Sequence, residues 1–128
     1  MTDNGLRRTV DMDYEKAIER VTATLAEQGF GVLTEIDVKK TLEKKLAVDF
    51  RRYEILGACN PKLAHQALSQ NLEVGTLLPC NVVVYEEGDG KSVIWAVDPE
   101  TILPGDSPDL KKVADEARAR LAKAIEEA

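Results

Sequence analysis

The chain has 128 residues with 44% hydrophobic and 31% charged side chains, the balance of one globular domain over 1–128 rather than of a disordered chain. Its 17 Lys and Arg against 23 Asp and Glu give a net charge of −6, which argues against phosphate-backbone binding as the main task, since that calls for a basic face. Two cysteines are too few for a disulfide scaffold and fit a reducing, cytoplasmic setting; the first ten residues carry no apolar signal core, and no apolar run approaches the ~20 residues that cross a bilayer.

Residues 6–10 read as a short strand. Asp11 or Asp13 is the expected N-cap of the next helix, where Tyr14, Ala17, Ile18, Val21 and Leu25 recur at helical spacing. Gly29 is placed to end that helix in a left-handed conformation, because it has no Cβ to clash. Residues 30–36 read as a strand with Phe30, Val32, Thr34 and Ile36 on one face and Gly31, Leu33 and Glu35 on the other. Asp37 is the expected cap of a lysine-rich helix over 38–46. Val38, Leu42 and Leu46 give that helix a narrow apolar stripe, and Lys39 is spaced to pair with Glu43.

A third strand is expected over 51–58. Asn60-Pro61 then opens a helix, Asn as cap and Pro as first residue, where its missing N–H costs nothing; it runs to about Gln70 or Leu72. The segment 75–79 leads into a strand over 80–85 with high β propensity. The run 86–90 reads as a hairpin loop, 92–97 as its antiparallel return, and Asp98-Pro99 as its end. Linker chemistry is confined to 104–108. A last helix carries Leu110, Val113, Ala114, Ala117, Leu121, Ala124 and Ile125 on one stripe, capped by Ser107 or Asp109. The order is β-α-β-α-β-α-β-β-α. It predicts an α+β fold: a mixed, largely antiparallel sheet with the long N- and C-terminal helices packed side by side on one face.

Two segments stand out: Ile55-Leu56-Gly57-Ala58-Cys59-Asn60-Pro61 with Ala64-His65 following, and Gly75-Thr76-Leu77-Leu78-Pro79-Cys80-Asn81-Val82-Val83-Val84. Each carries a Cys-Asn pair where a strand meets another element, flanked by Gly and Pro. Together with Gly29-Phe30-Gly31-Val32-Leu33 and Val97-Asp98-Pro99, they resemble the bacterial and archaeal domain-of-unknown-function family 302, over nearly the whole chain from about Tyr14 to Ile125. The resemblance implies a single copy of a TATA-box-binding-protein-like fold with added elements, and homodimers; it implies no activity. Thr76 departs from the apolar residue expected there, and the polar, Pro-rich segment 101–109 departs as well. Fold does not imply function. A DNA-binding role would need a clustered basic face, and only Arg7-Arg8, Lys39-Lys40, Lys44-Lys45 and Arg51-Arg52 offer pieces of one.

The candidate site residues are Cys59, Asn60, His65, Cys80 and Asn81. Cys59 precedes a helix cap, where free N–H groups and the positive dipole end lower a thiol pKa; the competing reading is a small packed hydrophobe. Cys80 starts a strand that continues inward through Val82 and Val84, which favours packing. Asn60 is explained by capping alone, Asn81 points opposite to Cys80 in a regular strand, and His65 lies on the flank of its helix. If the two strands are neighbours, their Cys-Asn ends converge on one edge, where two thiols can bind a soft metal, form a redox pair or carry a persulfide. A zinc site usually takes four ligands, and two Cys with one His do not supply them. No phosphate loop, dinucleotide fingerprint or readable triad is present. The leading expectation is a homodimeric binding module for a small thiol-seeking ligand or soft metal at the Cys59/Cys80 edge. The rivals are a purely structural or interaction protein with packed cysteines, and a thiol-dependent enzyme using Cys59. Cofactor, ligand and reaction are left open by the residues.

Overall fold

The computed structural model describes residues 5–103 and 107–128; of the run 104–108 read as a linker, 104–106 lie outside them. The elements are β1 (Arg7–Val10), α1 (Tyr14–Glu27), β2 (Gly31–Asp37), α2 (Val38–Leu46), β3 (Tyr53–Cys59), α3 (Pro61–Gln70), a 3-10 turn over Leu72–Leu77, β4 (Cys80–Gly88), β5 (Lys91–Ala96), α4 (Pro99–Ile102) and α5 (Pro108–Glu127). Side-chain caps fix the helix starts. Asp13 accepts from Lys16 N at 2.9 Å, Asp37 from Lys40 N at 2.9 Å, Asn60 from Leu63 N at 3.2 Å and Ser107 from Leu110 N at 3.4 Å. Each bond satisfies an amide that the helix itself leaves without a partner. Asp13 and Ser107, not Asp11 and Asp109, hold those caps. Gly29, at φ +86°, turns the chain out of α1.

The five strands form one sheet in the order β1-β5-β4-β3-β2, and every described pairing is antiparallel. This is the expected α+β architecture. Helices α1 and α5 lie against one face of it. Val21, Leu25, Leu121 and Ile125 are buried there with Leu56, Val82, Val84 and Ile94 from the strands. The last-turn carbonyls of α5 are met by side chains from that same layer. Arg8 Nη1 donates to Glu126 O and Ala128 O at 2.7 Å each, Arg20 Nη2 to Glu127 O at 2.8 Å, and the buried Thr24 hydroxyl to Ala124 O at 2.8 Å. Two cations thus sit at the negative end of the helix dipole.

Three expectations are corrected. Leu33 is an extra residue in β2: Val32 pairs with Ala58 and Thr34 with Gly57. This bulge reverses the alternation of everything after it. Thr34 and Ile36 therefore do not share a face with Phe30 and Val32; Phe30 is buried while Ile36 is 47% and Leu33 68% exposed. Lys39 does not pair with Glu43. Its Nζ reaches Asp49 Oδ1 at 2.8 Å and Phe50 O at 2.7 Å, closing the loop between α2 and β3. Finally, Asp98-Pro99 does not merely end a strand but opens α4, Asp98 capping Glu100 N at 2.9 Å. The 3-10 turn is also additional, and in it the hydroxyl of Thr76 bonds Glu73 O at 2.8 Å. No described helix is long and apolar enough to cross a membrane.

The second face of the sheet follows from the register. Cross-strand partners share a face, so Thr34, Ile36, Tyr53, Ile55, Gly57, Asn81, Val83, Tyr85, Val93, Trp95, Thr9 and Arg7 lie opposite the α1/α5 layer. Tyr53 and Tyr85 stack at 5.3 Å between ring centroids, and the Arg7 guanidinium lies 5.1 Å from the Trp95 ring. None of these paired positions is a carboxylate, in a chain with 23 Asp and Glu.

Candidate functional site

Antiparallel pairing puts the end of β3 beside the start of β4. Ala58 is the register partner of Cys80, so Cys59, one residue further on and paired with Gly31, stands at the same corner but in the opposite strand phase. The chain then turns at Asn60-Pro61 into α3. The Asn60 side chain works in both directions: Oδ1 caps α3, and Nδ2 donates to Gln28 O at 3.4 Å. It thereby ties the start of α3 to the end of α1. Cys59 and Cys80 line one cavity of about 30 Å³, walled by Phe30, Leu63, Leu78, Leu103 and Ala117 and almost wholly apolar. Such a space accepts one or two atoms of the size of water or sulfur. It does not accept the body of an organic ligand, which needs roughly 300 Å³ or more.

The two thiols differ. Cys80 is 7% exposed and Cys59 half-buried; neither is in a disulfide. Burial pushes the Cys80 thiol up to about 11, with the nearby Cys59 thiol adding to the effect. Desolvation penalises the thiolate, so Cys80 is a neutral thiol at neutral pH. Since the folded state holds that proton more tightly, this contribution to stability is complete below about pH 9 and is lost as pH rises toward about 11. In pulsed iodoacetamide labelling at pH 8, Cys59 is expected to react first. The Cys80 rate should climb about tenfold per pH unit until its thiol has ionised. Peptide mass spectrometry reads both rates; equal labelling of the two at pH 8 would contradict the burial of Cys80.

Of the other three sequence candidates, Asn60 borders the thiol cavity, whereas Asn81 and His65 do not line it. Asn81 is exposed on the opposite face of the sheet, where its register partner is Gly57; the strand period that turns Cys80 inward turns Asn81 out. His65 is exposed on α3 and lines neither this cavity nor its neighbour. Asn60 borders the cavity, with both ends of its amide engaged in the bonds above. Among the described residues, no group of three or more His, Cys, Asp or Glu is placed to hold a metal ion.

A second feature escaped the sequence. Between α3 and α5 runs a cleft of about 850 Å³, lined by Lys62, Gln66, Asp109, Lys112, Glu116 and Arg120 among others. Asn60, Leu63 and Val113 belong to its wall and to that of the thiol cavity, so the two spaces adjoin. The cleft brings together residues about fifty positions apart, which no local pattern announces. At the far end of the sheet, Tyr14 Oη donates to Glu54 Oε1 at 3.3 Å. Burial raises both groups above their ordinary values, and the neighbouring Asp37 adds to each shift. Asp37 already caps α2, and this cluster reads as part of the joint between α1 and the β2–β3 edge.

A family model for a domain of unknown function, DUF302, matches residues 6–128. A crystal structure of an uncharacterized conserved protein DUF302 from Bacillus stearothermophilus is similar at 35% identity with a TM-score of 0.84, covering 95% of this chain and 97% of that one. No curated protein matches the sequence.

Proposed function

The chain belongs to the DUF302 family, and from that premise, which carries no reaction, we propose that it is a homodimeric binding module for a small thiol-seeking ligand or soft metal ion at the Cys59/Cys80 corner. One observation supports the reading: two free cysteines, at the neighbouring ends of adjoining strands, border the same apolar cavity. Polarisable sulfur selects soft partners such as copper(I), and a 30 Å³ space suits a single soft atom. The apolar wall keeps hard, strongly hydrated ions out, because nothing in it replaces their water. An enzyme using Cys59 has less support. A nucleophile needs a base within hydrogen-bond reach, and the one His of the chain lines neither cavity. The homodimer reading rests on the aromatic and aliphatic face of the sheet opposite α1 and α5; the assignment to a TATA-box-binding-protein-like fold rests on a five-stranded antiparallel sheet backed by two long helices. A reducing, cytoplasmic setting suits the free thiols.

The test is uptake of copper(I) by the reduced full chain, followed by native mass spectrometry and competition with a chromogenic chelator. One copper per chain is expected, lost in Cys59→Ser and in Cys80→Ser. Stoichiometric uptake that survives both single variants, or thiols inert to every soft probe until the protein is denatured, would overturn the proposal. The second outcome would leave the packed-cysteine reading in its place.

A further inference from the structure

The thiol cavity holds an atom or two, whereas the cleft beside it, at about 850 Å³, falls within the range of ligand sites. An organic molecule that carries the soft atom can lay its body in this adjoining cleft. We infer that the α3/α5 cleft binds the body of a low-molecular-weight, amino-acid-type thiol, whose sulfur end points over Leu63 toward Cys59. This rests on the thiol-corner reading above and names the ligand class for it.

The charges of the cleft select that class. Lys62 and Lys112 have no ion-pair partner among the described residues, and neither has Asp109. Arg120 is engaged with Glu116 at 2.6 Å and with Gln28 O at 3.4 Å, so it serves as wall rather than as a free cation. The cleft therefore offers two uncommitted ammonium groups and one uncommitted carboxylate. A molecule with carboxylates and one ammonium complements that set; a simple dianion satisfies only the lysines, and an apolar ligand satisfies none. The wall shared with the thiol cavity (Asn60, Leu63 and Val113) sets the direction: charged body in the cleft, soft sulfur at the apolar end. Binding is non-covalent, so no oxidant is required.

The experiment is an amide chemical-shift titration of the reduced, full chain with three probes: glutathione, S-methylglutathione and succinate. Glutathione and its S-methyl analogue are both expected to shift amides of 60–66 and 109–120, with dissociation constants near 1 mM or below. Succinate is expected to bind at least about tenfold more weakly. Lys62→Glu with Lys112→Glu should weaken both peptides about tenfold, the sum of several exposed-charge effects. Both substitutions lie on exposed helix positions, and an unchanged spectrum elsewhere reports that the fold is intact. No shift up to about 10 mM probe, succinate binding as tightly as the peptides, or indifference to the double charge reversal would each overturn the inference. The two readings separate cleanly. S-methylglutathione binding retained in Cys59→Ser/Cys80→Ser supports the cleft whatever becomes of copper uptake, while copper uptake without any peptide binding removes the cleft alone.

Discussion

For the proposed homodimer, Val83→Glu is expected to sediment as a monomer at concentrations where the unaltered chain sediments as a dimer. Val83 sits on β4, the central strand of the sheet, between Ile55 and Trp95 in register. It is half-buried, on the face opposite α1 and α5. Five strands ~4.8 Å apart and about six residues long give that face roughly 24 by 20 Å. Side-chain relief brings this toward the ~800 Å² per partner of a standard interface. Its composition also fits an interface core, enriched in Tyr, Trp and aliphatic residues with Arg at its margin, and without carboxylates. A carboxylate at its centre would be stripped of water in the dimer but hydrated in the monomer. Burying an unpaired charge costs several kcal/mol, so the dimer dissociation constant should rise at least about hundredfold, ~2.7 kcal/mol. The folded monomer should lose no more than about 1 kcal/mol, the span of strand propensity. Analytical ultracentrifugation from about 1 to 100 µM reads the shift. His65→Glu, on exposed α3 away from this face, is the matched control. An unaltered chain that stays monomeric across the range, or a Val83→Glu chain that dimerises as before, removes the proposed interface.

The sequence made the element order readable because its punctuation is chemical. Asp13, Asp37, Asn60 and Ser107 are caps by residue type, and Gly29 and Pro61 have backbone preferences that few other positions satisfy. The inward Cys80, Val82 and Val84 were legible for the same reason, since a strand period of two needs only one face to be apolar. What failed was counting across Leu33. A bulge adds one residue, and no side chain nearby marks it; Thr34 and Ile36 have strand-like chemistry on either face. The short helix after Asp98-Pro99 was, by contrast, there to be read. It repeats the cap-then-proline signature of Asn60-Pro61, but with too few residues after it to show a helical period. At the candidate site, the sequence left open whether the two Cys-bearing strands are neighbours; the pairing of β3 with β4 supplies that adjacency. The α3/α5 cleft did not follow, because it depends on how two helices lie across a shared wall. Asn81 illustrates the same limit in reverse: matched Cys-Asn pairs in the sequence become unmatched in space, one amide at a helix start and the other on the far side of a strand.

Gly57→Ala is expected to destabilise the protein by about 2–3 kcal/mol, although alanine fits a strand better than glycine does. The reason is space rather than backbone freedom: of the described glycines, those with positive φ are Gly5, Gly29 and Gly90, and Gly57 is not among them. A Cβ at Gly57 would collide with Thr34 Oγ1 and stand 2.9 Å from Pro79 Cγ. Thr34 can rotate its hydroxyl away. Pro79 can move its Cγ only by a change of ring pucker, and it immediately precedes Cys80, so any larger relief on that side moves the thiol corner itself. The bulge at Leu33 is what sets Thr34 opposite Gly57, and the glycine is thus the partner that the bulge demands, in keeping with the use of strand glycine at close approaches. Urea unfolding should show the midpoint fall by roughly 1–2 M. Adding Thr34→Ala removes one of the two obstructions and should recover about 1 kcal/mol, a coupling that independent sites would not show. In the same single variant, Cys80 should alkylate faster at pH 8 as its cover loosens. Loss of less than about 0.5 kcal/mol, within the range of ordinary surface substitutions, would mean that the corner holding both thiols yields easily and that its geometry is not fixed by the packing of Gly57, Thr34 and Pro79.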